Sequence, residues 1–108
     1  SFADESITLK VEYKNVQIKL KDILYIESMD NYVRIHLTER QSLMSQTSMK
    51  NIQELLPAEK FIRVHKSFIV PAHRIASYTS KEITLYNGTK IPVGRSYSQN
   101  LKLSISNS

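Results

Sequence analysis

A chain of 108 residues has room for one domain with one modest core. It contains no cysteine, which excludes a disulfide framework and a thiolate metal site, and no apolar run approaches the roughly 18 residues of a membrane span. The formal net charge of +5 is unevenly placed: residues 1–59 carry seven basic and nine acidic side chains, while residues 60–108 carry eight basic ones and only Glu82 as an acid. A face that binds polyanions needs such an asymmetry.

The chain opens on Ser1 without a signal-peptide pattern, and SFADES (1–6) reads as a linker remnant ahead of a domain over residues 7–105, with 106–108 as a tail. ITLKVEY (7–13) alternates, with Ile7, Leu9, Val11 and Tyr13 on one face, and VQIKL (16–20) repeats the pattern. Lys14 and Asn15 fall between the two runs, and Asn tolerates a positive φ, so a tight hairpin turn is predicted there. DILYIE (22–27) predicts a short turn entering a buried strand, and SMDN (28–31) predicts a loop. YVRIHL (32–37) predicts a strand with Val33, Ile35 and Leu37 on its apolar face, and QSLMS (41–45) its partner. Ser48 then suits a helix N-cap; Met49, Ile52, Leu55 and Leu56 follow at helical spacing until Pro57 stops the pattern. Two turns of helix must be held by packing rather than propensity.

FIRVHKSFIVPAHR (61–74) predicts one strand ending near Pro71. Arg63, His65 and Lys66 crowd its first half, so the strand has a wet face or something negative lies against it. Residues 75–79 and 82–86 are strand-like, Asn87 and Gly88 signal a type I′ hairpin, and the return over 89–93 contains Pro92, the mark of an edge strand. RSYSQNLKLSI (95–105) carries two periods. Tyr97, Leu101 and Ile105 recur every four residues, whereas Leu101, Leu103 and Ile105 alternate; a short helical turn starting near Arg95 or Ser96 is favoured. The sum is a mostly-β domain of eight to ten short strands in antiparallel hairpins with one clear helix.

Catalysis has little to work with. The histidines are His36, His65 and His73, with no HxH or HExxH spacing, no G-x-S-x-G serine, no carboxylate cluster in the basic half, and glycine only at 88 and 94. No catalytic residue, metal or cofactor is expected, and the protein reads as a non-enzyme. Binding is better served. Lys66 lies where polar alternation gives way to the apolar SFIV run, and Arg95 follows Gly94 at a strand-to-helix corner from which an Arg can enter a groove. Asn31, in the loop after Met29, suits bidentate pairing with adenine. Each has a structural alternative: a lysine on a solvated face, a surface arginine paired with the C-terminal segment, an asparagine chosen for its turn. The scattered Tyr25, Tyr32, Tyr78, Tyr86 and Tyr97 offer no shared stacking platform, which disfavours the other class considered, a β module binding protein or single-stranded RNA.

Three stretches in order, DILYIESMDNYVRIHL (22–37), FIRVHKSFIV (61–70) and NGTKIPVGRSY (87–97), with the amphipathic SMKNIQELLP between the first two, resemble LytTR-type domains, the DNA-binding output domains of many bacterial response regulators. The likeness runs from about Ile7 to Leu103. It implies an elongated fold of antiparallel sheets with one short central helix and a short C-terminal helical turn. It further implies sequence-specific binding of double-stranded DNA by loop side chains in successive major grooves. Carried over by position, Arg95, Lys66 and Asn31 would read bases, and the flanking Arg63, His65, Ser67, Ser96 and Tyr97 would contact phosphates. Two copies on a direct repeat, an upstream receiver or sensor domain, a cytoplasmic location and no membrane contact by this domain are the remaining implications. Pro71, Ala72 and His73 stand where many relatives carry Asn or Ser, so a differently shaped loop is expected there.

Overall fold

The computed structural model describes residues 2–106; Ser1 and, from the expected tail, Asn107 and Ser108 lie outside the described residues. Among the described residues the strands are β1 (Ser6–Val11), β2 (Lys14–Lys19), β3 (Ile23–Met29), β4 (Tyr32–Leu37), β5 (Leu43–Ser45), β6 (Phe61–His65), β7 (Phe68–Pro71), β8 (Ile75–Tyr78), β9 (Glu82–Leu85) and β10 (Lys90–Pro92). Helix α1 (Met49–Leu55) joins β5 to β6, and α2 (Ser98–Ser106) follows β10. They form three antiparallel sheets: β1-β2, β5-β4-β3-β7-β6 and β10-β9-β8.

The five-stranded sheet is the middle layer, with a core on each face. Ile26, Val33, Ile35, Phe61 and Ile69 pack with Ile7, Leu9 and Ile18 of the β1-β2 sheet and with Met49 and Ile52 of α1. Ile62, Val64 and Val70 turn the other way and pack with Ile83, Leu85, Ile91 and Leu101. Burial on both faces is why DILYIE and SFIV read as nearly continuous apolar runs. Each fully buried Ile or Leu contributes about 1.5–3 kcal/mol relative to exposure, so these two clusters hold the layers together. Ser48 caps α1 as anticipated, its hydroxyl accepting from Asn51 N–H at 3.1 Å. Pro92 lies in β10, an edge strand, where its missing N–H costs no ladder bond.

Four local expectations change. The hairpin at Asn87 and Gly88 is not a two-residue type I′ turn: three residues, 86–88, separate Leu85 from Thr89, Gly88 N–H donates to the Leu85 carbonyl at 2.9 Å, and Gly88 (φ 93°) takes the positive φ while Asn87 does not. The first hairpin turns at Glu12 and Tyr13, both at positive φ (49° and 70°), and not at Lys14 and Asn15. Alternation cannot separate the two registers, because an even slip keeps every side chain on its face. The observed register pairs Ile7 with Ile18 and Leu9 with Val16, and frees Leu20 to enter the core from a 3-10 turn while its N–H bonds the Glu5 carbonyl at 3.0 Å. Residues 61–71 are not one strand but the β6-β7 hairpin, turning at Lys66 and Ser67. The C-terminal segment is a 3-10 turn (Arg95–Tyr97) followed by nine residues of α-helix, longer than a single helical turn; the four-residue spacing wins because Leu101 is buried, while Leu103 stays 53% exposed.

Two features bear on the chain ends and loops. Phe2–Asp4, within the stretch read as a linker, form a 3-10 turn, and the Phe2 ring lies 6.3 Å from that of Phe61 and 5.3 Å from that of His73. Where Pro71 leads out of β7, Ala72–Arg74 form another 3-10 turn. Arg74 pins it, donating to the carbonyls of Ile23 (3.0 Å) and Lys21 (2.7 Å).

Candidate nucleic-acid interface

Three turns meet along one rim of the middle layer. The β3-β4 hairpin closes with Met29 opposite Tyr32, leaving Asp30 (φ 55°) and Asn31 at its tip. Because β3 also pairs with β7, the β6-β7 tip lies beside it, and Ser28 N–H donates to the Ser67 carbonyl at 2.9 Å. The corner after β10 closes the row from the other side: Gly94 N–H donates to the Val64 carbonyl at 2.8 Å. A Cβ on Gly94 would lie in ordinary contact with His65 Cα, at 3.5 Å, but only 2.9 Å from the Tyr97 ring, so the corner itself is closely packed. Asn31, Lys66 and Arg95, remote in the chain, thus stand in sequence along one edge.

Their side chains differ in how far they are committed. Asn31, Lys66, Arg95 and Ser96 are exposed, and among the described residues the amide of Asn31, the ammonium of Lys66 and the guanidinium of Arg95 make no hydrogen bond or ion pair within the protein. His65, Ser67 and Tyr97 are half-buried. His65 Nδ1 accepts from Ser67 N–H at 3.0 Å, so the neutral imidazole carries its proton on Nε2 and keeps that donor available. Arg63 is half-buried as well, and its guanidinium is largely engaged inside the protein: Nε donates to the His65 carbonyl at 2.9 Å, Nη1 to Gln53 Oε1 at 3.0 Å and Nη2 to the Lys66 carbonyl. Two of its five N–H donors remain.

Behind this rim lies a row of aromatic and charged groups that alternation alone does not assemble. His65 meets Phe68 edge-on at 5.6 Å, Phe68 meets Tyr25 at 6.2 Å, and Tyr25 stacks on His36 at 4.0 Å. His36 Nε2 lies 3.0 Å from Glu27 Oε1. Burial, reinforced by the Glu27 carboxylate and opposed by Arg34, pushes the Tyr25 hydroxyl above its usual range. Cross-strand pairing of Tyr25 with His36 and of Glu27 with both Arg34 and Phe68 brings these together, and only the register reveals it. The third histidine, His73, is remote from the rim and packs on Phe2; burial first and Arg74 second hold it below the usual histidine range. No helix among the described residues is long and apolar enough to cross a membrane.

Comparison with known proteins bears on the family and the fold. Residues 13–106 match the family model described as LytTr DNA-binding domain. The chain is 34% identical over 101 residues to the sensory transduction protein LytT of Bacillus subtilis (strain 168), covering 89% of this chain and 42% of that protein. It is 31% identical over 108 residues to the transcriptional regulatory protein LytR of Staphylococcus aureus (strain MW2), covering 94% and 43%. The chain therefore spans about two-fifths of the length of these curated relatives. A solved LytTr DNA-binding domain from Bacillus cereus superposes with a TM-score of 0.78 at 25% identity, covering 94% of this chain and 97% of that one. A family match over nearly the whole chain, together with this superposition, means that this protein belongs to the LytTR family of DNA-binding domains.

Proposed function

We propose that this DNA-binding domain recognises a specific double-stranded sequence by inserting side chains from its three rim turns into the major groove. Arg95 and Lys66 read guanine edges through N–H donors and Asn31 reads adenine through its amide donor and acceptor, groups left uncommitted among the described residues. His65, Ser67, Ser96, Tyr97 and the two remaining donors of Arg63 hold the flanking phosphates and so fix the register. The observation that carries this reading is the meeting of the Lys66 tip and the Arg95 corner, joined through Gly94 and Val64, on one rim. Two copies side by side on a direct repeat form the functional unit, and the domain serves as the output of a cytoplasmic transcriptional regulator in which a receiver or sensor domain precedes it. The reading needs neither catalysis nor a cofactor.

Selection of bound duplexes from a random pool, followed by gel-shift titration of the winner, tests this. A strong preference for the selected duplex over its separated strands and over scrambled duplexes is expected. Equal affinity for single strands, or no sequence enrichment at all, would contradict it.

A further inference from the structure

Lys66 and Ser67 connect β6 to β7 in two residues without glycine, asparagine or proline, the residues that ordinarily set a tight turn. Side chains supply the geometry instead. The pairing of β6 with β7 slips between Arg63 and His65, and Arg63 bridges the break with bonds to two successive carbonyls, those of His65 and Lys66. Its third branch reaches Gln53 of α1, and its Cζ lies 5.7 Å from the centre of the Tyr97 ring, in the turn that begins with Arg95. Its own carbonyl accepts from Asn100 of α2 at 3.4 Å. One guanidinium therefore touches the Lys66 tip, the Arg95 turn and, through Gln53, helix α1.

We propose that Arg63 is a positioning residue for base reading: it shapes the Lys66 tip and holds it at a fixed spacing from the Arg95 corner. The inference rests on the reading of Lys66 and Arg95 given above, and it makes Arg63 a determinant of specificity and not simply one more phosphate contact. The chemistry requires arginine. A planar fork can donate in three directions at once, whereas the single nitrogen of lysine keeps the charge but cannot span two carbonyls and Gln53 together.

The test uses Arg63→Lys, which preserves charge and most of the stem, alone and combined with Lys66→Ala. In the DNA-free domain, the amides of Ser67 and Ser28 should exchange with solvent about tenfold faster in R63K, because local opening of the tip becomes easier. On the selected duplex, R63K should weaken binding about tenfold, the scale of one lost base contact, and flatten preference at the base pair that Lys66 reads. The salt dependence should stay unchanged, since no charge is removed. In the K66A background, R63K should cost much less than in the wild type, the non-additivity of two residues acting through one contact. Unchanged amide exchange, or full retention of affinity and base preference, would overturn the proposal. An additive loss in the double variant would overturn it too, leaving Arg63 as an independent contact. K66A binding at wild-type strength is a separate outcome: it refutes Lys66 as a reader, while the exchange measurement still judges the brace.

Discussion

Arg95 offers five N–H donors from a corner fixed by Gly94 and Tyr97, whose N–H donates back to the Gly94 carbonyl at 2.9 Å. A guanidinium carried on a fixed corner and left unpaired among the described residues is what bidentate recognition of guanine requires. Arg95→Ala should cost about 1–3 kcal/mol on the preferred duplex and relax discrimination at one base pair; uniform loss across sequences in a fluorescence titration would assign Arg95 to the phosphates instead. A second single-residue effect lies far from the rim. Burial and Arg74 lower the pKa of His73 from its ordinary 6.5, so the unfolded chain takes up this proton first. Its contribution is complete above the unfolded value and is lost as pH falls through the lower folded value. The melting temperature should therefore decline slightly as pH is lowered below about 6.5, and His73→Gln should reduce that decline. A slope unaltered by the substitution would show that another group sets it.

At the scale of elements, the Arg95 corner depends on how closely Gly94 and Tyr97 pack. Gly94 has an ordinary φ of −70°, so its value lies in space and not in backbone freedom. Gly94→Ala would press a methyl group to 2.9 Å from the Tyr97 ring. Overpacking of this kind costs about 1–3 kcal/mol, and denaturant unfolding should show that Tyr97→Ala recovers part of the loss; strictly additive effects would mean that the two do not meet. Helix α1, only seven residues long, relies on its cap, and Ser48→Ala should destabilise the domain by about 1 kcal/mol. That cap, the strand over Tyr32–Leu37, the presence of a hairpin at Asn87 and Gly88 though not its turn type, and the edge position of Pro92 were all legible in the chain, since each follows from local spacing or backbone chemistry. The turns at Glu12 and Tyr13 and at Lys66 and Ser67 were not. The first is chosen between two registers that alternation treats alike; the second is held by Arg63 and His65, side chains outside any turn signature. The candidate readers were legible as exposed cations and an amide near breaks in pattern. The bracing position of Arg63 was not, because it depends on contacts with Gln53 and Tyr97 that no local pattern encodes.

For the whole molecule, charge and layering point the same way. Residues 60–108, which hold all but seven of the basic side chains and a single acid, build β6 to β10 and α2 and supply two of the three rim turns. The excess positive charge is thus attached to the part of the fold that bears Lys66 and Arg95, where it raises the association rate with a polyanion and makes affinity salt-dependent. With several phosphates neutralised, binding should weaken by orders of magnitude between about 50 and 200 mM salt. Size limits the footprint. The longest dimension, 38 Å, is close to one turn of duplex, about 34–36 Å, so the proposed footprint of one copy on a straight helix is bounded at about one turn. The proposed reading assigns no recognition helix, in keeping with the layers: both α-helices pack into cores, and the hairpin tips project from a sheet that is buried on both faces.

The central claim is that separate turns read separate places on one side of the duplex. The measurement that tests it most directly is the affinity of the wild type, Lys66→Ala and Arg95→Ala for a duplex series carrying every single base-pair substitution of the selected site. Each variant should lose discrimination at its own base pair, the two positions lying within about one helical turn of each other, with the remaining preferences intact. Loss spread evenly over all positions, or flattening at the same base pair by both variants, would contradict the account.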